Sequence, residues 1–138
     1  MTRSTAHHIL VISDDSGTDR HLRLAFTRTA PECNVGVVHN RKEIEALHTP
    51  NLILLDLMLA NEPPFDVLRW LRTQPRYTQI PVFVLGSAAV DHDVNQAYAL
   101  GANSCLLKDP ESHGLENIVR AMATYVDLIG TPGRSNVA

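Results

Sequence analysis

Short runs that are apolar at every position, set apart by stretches with helical spacing, constrain this chain most. Ile9-Leu10-Val11-Ile12 and Leu52-Ile53-Leu54-Leu55 show no in-and-out alternation, and Ile80-Pro81-Val82-Phe83-Val84-Leu85 is a third such run. A strand with one face in water alternates apolar and polar residues; a strand covered on both faces does not. These runs therefore read as strands of a parallel sheet with helices on both sides.

The stretches between them supply the helices. Behind Ser16, a suitable N-cap, Leu22, Ala25 and Phe26 fall at helical spacing until Pro31 stops the segment. Asn40 followed by Glu43 is a capping-box-like pair opening a helix that carries Ile44 and Leu47. Pro63-Pro64 stiffen a loop and start a third helix, with Phe65, Leu68 and Leu71 on one face and Val67 and Trp70 widening it. A fourth helix runs from about His92 to Leu100, with Gly101 suited to its C-terminal cap. The last helix holds Leu115, Ile118, Val119, Met122 and Val126. With Val35 to Val38 and Ser104 to Leu107 as further strands, five strands alternate with five helices, an open α/β fold.

A chain of 138 residues makes one domain, 1–138, with a core over about 7–128 and a fraying tail over 129–138. The net charge of -3 is small and no basic stripe appears, which argues against nucleic acid as a direct partner. No apolar run approaches the length of a membrane span, and Met1 to His8 lacks the apolar centre of a signal peptide, so a cytoplasmic protein is expected. Cys33 and Cys105 fall on different strands and fit a reducing compartment.

The chemistry-bearing residues cluster by position. Asp14 and Asp15 follow the first apolar run, Asp56 ends the run from Asn51, and Lys108 follows Cys105-Leu106-Leu107. In doubly wound sheets ligands bind at the carboxyl ends of the strands, near the topological switch point. Acids and a lysine at three such ends make a site for a metal ion and a phosphoryl group. Each residue also has a plain reading. Asp56 could cap a loop, one of Asp14 and Asp15 could cap the first helix, and Lys108 could be a surface lysine at a strand end.

Taken in order, Ile9 to Asp15, Leu54-Leu55-Asp56, Ile80 to Leu85, Ala99-Leu100-Gly101-Ala102-Asn103 and Leu106-Leu107-Lys108 resemble a response-regulator receiver domain of two-component signalling. The resemblance spans roughly residues 7 to 128. It implies a (βα)5 flavodoxin-like fold with strand order 2-1-3-4-5, placing Cys33 and Cys105 at opposite sheet edges. It further implies Asp56 as phosphoacceptor and nucleophile, with Asp14, Asp15, Asp56 and the Met58 backbone carbonyl around Mg2+, and Lys108 on the phosphoryl oxygens. The partners implied are a histidine kinase or phosphotransfer protein upstream and an unidentified protein target downstream. The face of the fourth helix, fifth strand and fifth helix serves the family for targets and for homodimers. No catalysis is expected beyond the domain's own phosphorylation and dephosphorylation.

The chain departs from the family pattern at several positions. Ser13 stands at the first of two acidic positions, Gly86 where a Thr or Ser is usual, and Cys105 where a switch aromatic is usual. Ala60 and Pro64 replace a proline and a glycine in the loop after Asp56, and Asp109 separates Lys108 from Pro110. Ser87, beside Gly86, is a substitute hydroxyl if the backbone turns there. Met58 and Ala88, at the positions that tune the lifetime of the aspartyl phosphate, are apolar and predict slow self-dephosphorylation. These departures keep a second reading open, a pseudo-receiver that holds the fold as an interaction module and does not switch by phosphorylation. A phosphoaspartyl hydrolase would want an acid where Met58 stands. No phosphate-binding glycine loop of the Walker or dinucleotide type is present.

Overall fold

A computed structural model describes residues 7–86, 91–108 and 114–129. Five parallel strands form one sheet in the order β2-β1-β3-β4-β5: β1 His7–Ile12, β2 Cys33–Val38, β3 Leu52–Asp56, β4 Val82–Gly86 and β5 Ser104–Leu107. The helices α1 Ser16–Thr29, α2 Arg41–Ile44, α3 Pro64–Thr73, α4 Asp91–Ala99 and α5 Gly114–Leu128 alternate with them. The flavodoxin-like α/β fold and the strand order expected from the sequence are both present.

The unalternating apolar runs have the predicted cause. Successive side chains of a strand point to opposite faces. Leu10, Ile12, Ile53, Leu55, Val82 and Val84 pack on one face with Ile44, Val67, Leu68, Leu71 and Ala97. Ile9, Val11, Leu52, Leu54, Phe83 and Leu85 pack on the other with Leu22, Phe26, Ile118, Val119, Met122 and Val126. Both faces are dry, so neither can be polar.

Local expectations differ from the structure in three places. Asp15, not Ser16, is the N-cap of α1; its carboxylate accepts from the Thr18 amide at 3.0 Å, and Ser16 is the first helical residue. The helix after Asn40 ends at Ile44, and Leu47 lies outside it, 39% exposed. Asn40 does cap it by accepting from the Glu43 amide, but Glu43 reaches back to the His39 amide instead of completing the reciprocal pair on Asn40. The fourth strand begins at Val82, because Pro81 has no amide hydrogen to give the ladder. Cys33 and Cys105 are free, on strands at opposite edges of the sheet.

The register sets the carboxyl edge. Ile12 pairs with Leu55 and Val38, Asp56 with Leu85, and Gly86 with Leu107. The residues that follow or end these pairs, Ser13, Asp56, Gly86 and Lys108, therefore lie along one rim of the sheet.

Candidate functional site

Asp56 ends the central strand and is 2% exposed. A buried carboxylate is costly unless hydrogen bonds replace its water. Two do so here. The Ser13 hydroxyl donates to Asp56 Oδ2 at 2.9 Å, and the Met58 amide donates to Oδ1 at 2.9 Å. The Met58 bond comes from the tight turn after β3, where the Leu59 amide also donates to the Asp56 carbonyl at 3.1 Å. The Ser13 bond comes from the adjacent strand end. Ser13 prolongs β1 by donating its amide to the Val38 carbonyl at 2.9 Å, which leaves its side chain fully buried beside β3.

The other two acids take different partners. Asp14 accepts from the Ala60 amide at 3.1 and 3.0 Å and from the Asn61 amide at 2.8 Å, tying the loop after β1 to the loop after β3. Asp15 accepts from the Thr18 hydroxyl at 2.6 Å as well as from its amide. Those Thr18 bonds hold the Asp15 carboxyl below the usual aspartate range, with a smaller contribution from the Lys108 charge. Lys108 is half-buried, and its amide donates to the Gly86 carbonyl at 2.8 Å, continuing β5 along β4. Among the described residues no ion pair joins Lys108 to Asp56. Ser87, Ala88, Asp109 and Pro110 lie outside the described residues.

The structure thus brings Asp14, Asp15, Asp56 and Lys108 to one rim without gathering the three carboxylates around a point. Among the described residues no three Asp, Glu, His or Cys side chains are arranged to hold a metal ion. The donors that suit a hard cation are the carboxylates of Asp14 and Asp56 and the carbonyl of Met58. Magnesium takes one or two carboxylates and keeps several waters, so this set fits it in kind. An ionised carboxylate accepts at about four lone-pair sites, so the bonds already made to Asp14 and Asp56 leave acceptor capacity on both. Asp15 would have to leave its cap to join them.

Two features escaped the sequence reading. Ser13 was visible there only as a missing acid, although a hydroxyl at the end of a strand neighbouring the acceptor strand is a ready donor. The amides of Ala60 and Asn61 carry no sequence signal, since any residue but proline supplies one. At Gly86 an added Cβ would lie 3.4 Å from Leu107 Cδ2 and 3.7 Å from Leu57 Cδ1, so the position is snug without demanding glycine.

Comparison with known proteins bears on the fold and the family. The response regulator Rre1 of Synechocystis is 27% identical over 115 residues, which cover 81% of this chain and 49% of Rre1. Response regulator Rcp1 of the same organism is 34% identical over 83 residues, 60% of this chain and 56% of Rcp1. The chain therefore spans about half the length of these curated relatives. Among solved structures, the phosphorylated cyanobacterial phytochrome response regulator RcpA matches with a TM-score of 0.82 at 24% identity, over 94% of this chain and all of that one. The Mn2+-bound form of Rcp1 matches with a TM-score of 0.75 at 24% identity, over 92% of this chain and 99% of that one. At such identities the likeness establishes the fold. Residues 9–120, most of the chain, match the response regulator receiver domain family, and the protein belongs to that family of two-component signalling domains.

Proposed function

We propose that Asp56 is the phosphoacceptor of this receiver domain, taking its phosphoryl group from a histidine kinase or phosphotransfer protein. One observation carries the reading. A single carboxylate ends the central strand, fixed by hydrogen bonds at both oxygens, with Lys108 on the same rim. Phosphorylation at a bound metal is typical of the family.

In the transfer, a carboxylate oxygen of Asp56 attacks the phosphorus of the phosphohistidine in line. The P–N bond breaks, its electron pair returns to the imidazole nitrogen, and an aspartyl phosphate forms. Asp56, Asp14 and the Met58 carbonyl are the groups that would hold Mg2+, which supplies charge neutralisation at the transferred phosphoryl group. Lys108 would then pair with phosphoryl oxygens as a compact point charge. The Ser87 hydroxyl is the side chain proposed to complete the phosphoryl contacts in place of the Thr or Ser that Gly86 lacks. Output passes through contact with a downstream protein, and the protein acts in the cytoplasm. Among the described residues no helix is long and apolar enough to cross a membrane.

Incubation with acetyl phosphate and Mg2+, read by intact mass, tests the proposal. The expected result is a gain of one phosphoryl group that disappears in Asp56→Asn and without metal. The adduct should then decay slowly, since the Met58 side chain offers no group to orient water. A folded protein that takes no phosphoryl group from acetyl phosphate or a phosphohistidine donor would instead be an interaction module without a phosphorylation switch.

A further inference from the structure

The Asp56 carboxylate is nearly inaccessible to water, yet no cationic side chain among the described residues pairs with it. Among the described residues its partners are one amide and one hydroxyl. Ser13 is 0% exposed, so its hydroxyl has no water to turn to. The hydroxyl donates to Asp56 Oδ2 at 2.9 Å and accepts from the Asp15 amide at 3.3 Å. A hydroxyl has one hydrogen to give, and accepting from Asp15 leaves it directed at Asp56. A hydroxyl bond to a carboxylate oxygen is stronger than one between neutral groups, and here it is the one side-chain bond to the carboxylate among the described residues.

The bond also joins two separate segments. Asp56 belongs to β3, and its Met58 partner follows two residues later on the same segment. Ser13 follows β1, 43 residues away in sequence, and through the Asp15 amide it is tied to the N-cap of α1. Local turn geometry holds Oδ1; among the described residues Ser13 alone holds Oδ2 against the neighbouring strand.

We propose that Ser13 is the positioning residue of the acceptor: its buried hydroxyl holds the Asp56 carboxylate in place without a cation. The inference rests on Asp56 being the acceptor and adds how its orientation is kept. An acid at this position could not donate when ionised, and two buried carboxylates side by side would need a cation to hold them together. Serine removes that requirement. The unphosphorylated domain then has an oriented acceptor whether or not metal is bound, and its folding does not require metal.

Three variants separate this role from simple packing. Ser13→Ala removes the donor, Ser13→Thr keeps it, and Ser13→Asp substitutes a carboxylate. With acetyl phosphate at saturating Mg2+, the initial rate of phosphorylation should fall roughly tenfold or more in Ser13→Ala, the scale expected for a misplaced nucleophile. Ser13→Thr should recover most of that rate. Melting temperatures with EDTA and with Mg2+ give a readout independent of phosphoryl transfer. The unmodified protein should be fully folded in EDTA and gain from Mg2+ only what binding itself confers, whereas Ser13→Asp should be destabilised in EDTA and gain clearly more from Mg2+.

A Ser13→Ala protein phosphorylated at the normal rate would overturn the proposal. So would a Ser13→Asp protein that melts in EDTA as the unmodified one does, or an unmodified protein that gains as much from Mg2+ as Ser13→Asp. If the unmodified protein accepts no phosphoryl group, the acceptor assignment fails, while the melting comparison still decides whether Ser13 holds Asp56 without a cation.

Discussion

The two ends of the sheet partner their charged groups differently. At the amino end a single cation ties several pieces of chain together. Arg72 of α3 donates to the carbonyls of Gly101, Tyr77, Thr78 and Ile80 and to Asn103 Oδ1, at 2.8 to 3.2 Å. Asn103 also accepts from the Val82 amide at 2.9 Å, and Asn51 accepts from the His8 amide at 2.7 Å. One guanidinium thereby fixes α3, the approach to β4 and the approach to β5. At the carboxyl end, three acids and one lysine line the rim, and the described acids there are held by hydroxyls and amides rather than by cations. Stability is concentrated at one end and uncompensated charge at the other. That division lets a site change its chemistry without unfolding the sheet that carries it.

The sharpest test of the division is Asp56→Asn. It should abolish phosphorylation completely and change stability by under about 1 kcal/mol, because the amide oxygen can still accept from Ser13 or from Met58. Chemical denaturation alongside intact mass would show both. A large loss of stability would mean the carboxyl end is also structural. Arg72→Ala should do the reverse. Removing a charged donor that serves four carbonyls and an amide should cost roughly 3 kcal/mol. A melting temperature lower by about 10 °C would express this. The rate of phosphorylation, measured well below that temperature, should be unchanged.

Legibility in the sequence follows the same line. The sheet, its two dry faces and the rim carrying Asp14, Asp15, Asp56 and Lys108 were readable, because apolar runs without alternation leave few other folds. What each rim residue touches was not readable. Asp14 and Asp15 are adjacent in sequence, yet one clasps the loop at Ala60 and Asn61 and the other caps α1. A one-residue step around a loop decides which, and no spacing rule resolves it. Ser13 looked like a lost ligand because its partner is 43 residues away. The short α2 was misjudged for a related reason: Leu47 continues the helical pattern but finds no core to enter. Arg72 was not singled out at all, since carbonyl groups leave no trace in a sequence.

A smaller effect should appear at Gly101, which has φ +107, a conformation that strains residues with a Cβ. An added Cβ would also stand 2.9 Å from Arg72 Cγ, in a side chain that its five bonds hold still. Gly101→Ala should therefore cost about 2 kcal/mol. In an Arg72→Ala background the collision disappears and only the backbone strain remains, so the two losses should not add. Strict additivity in a double-mutant cycle would show that Arg72 is not the fixed anchor described above.

The smallest effect is a pH dependence at the other end. Thr18 holds the Asp15 carboxyl below its ordinary range in the folded protein. The unfolded chain therefore takes up this proton first as pH falls. The stabilisation from Asp15 is fully present above its unfolded pKa and is lost as pH drops through the lower folded one. Denaturation midpoints followed from about pH 6 down past about pH 4, the ordinary aspartate value, and on into more acid solution cover that window. Replacing the cap by Asp15→Asn, which can still accept from Thr18 but cannot titrate, should flatten the acid limb and leave the neutral-pH midpoint close to its original value. An unchanged acid limb would assign the loss of stability to carboxylates other than Asp15. It would also show that this cap's charge is not felt by the fold, and that the rim is the more separate from the stability of the sheet.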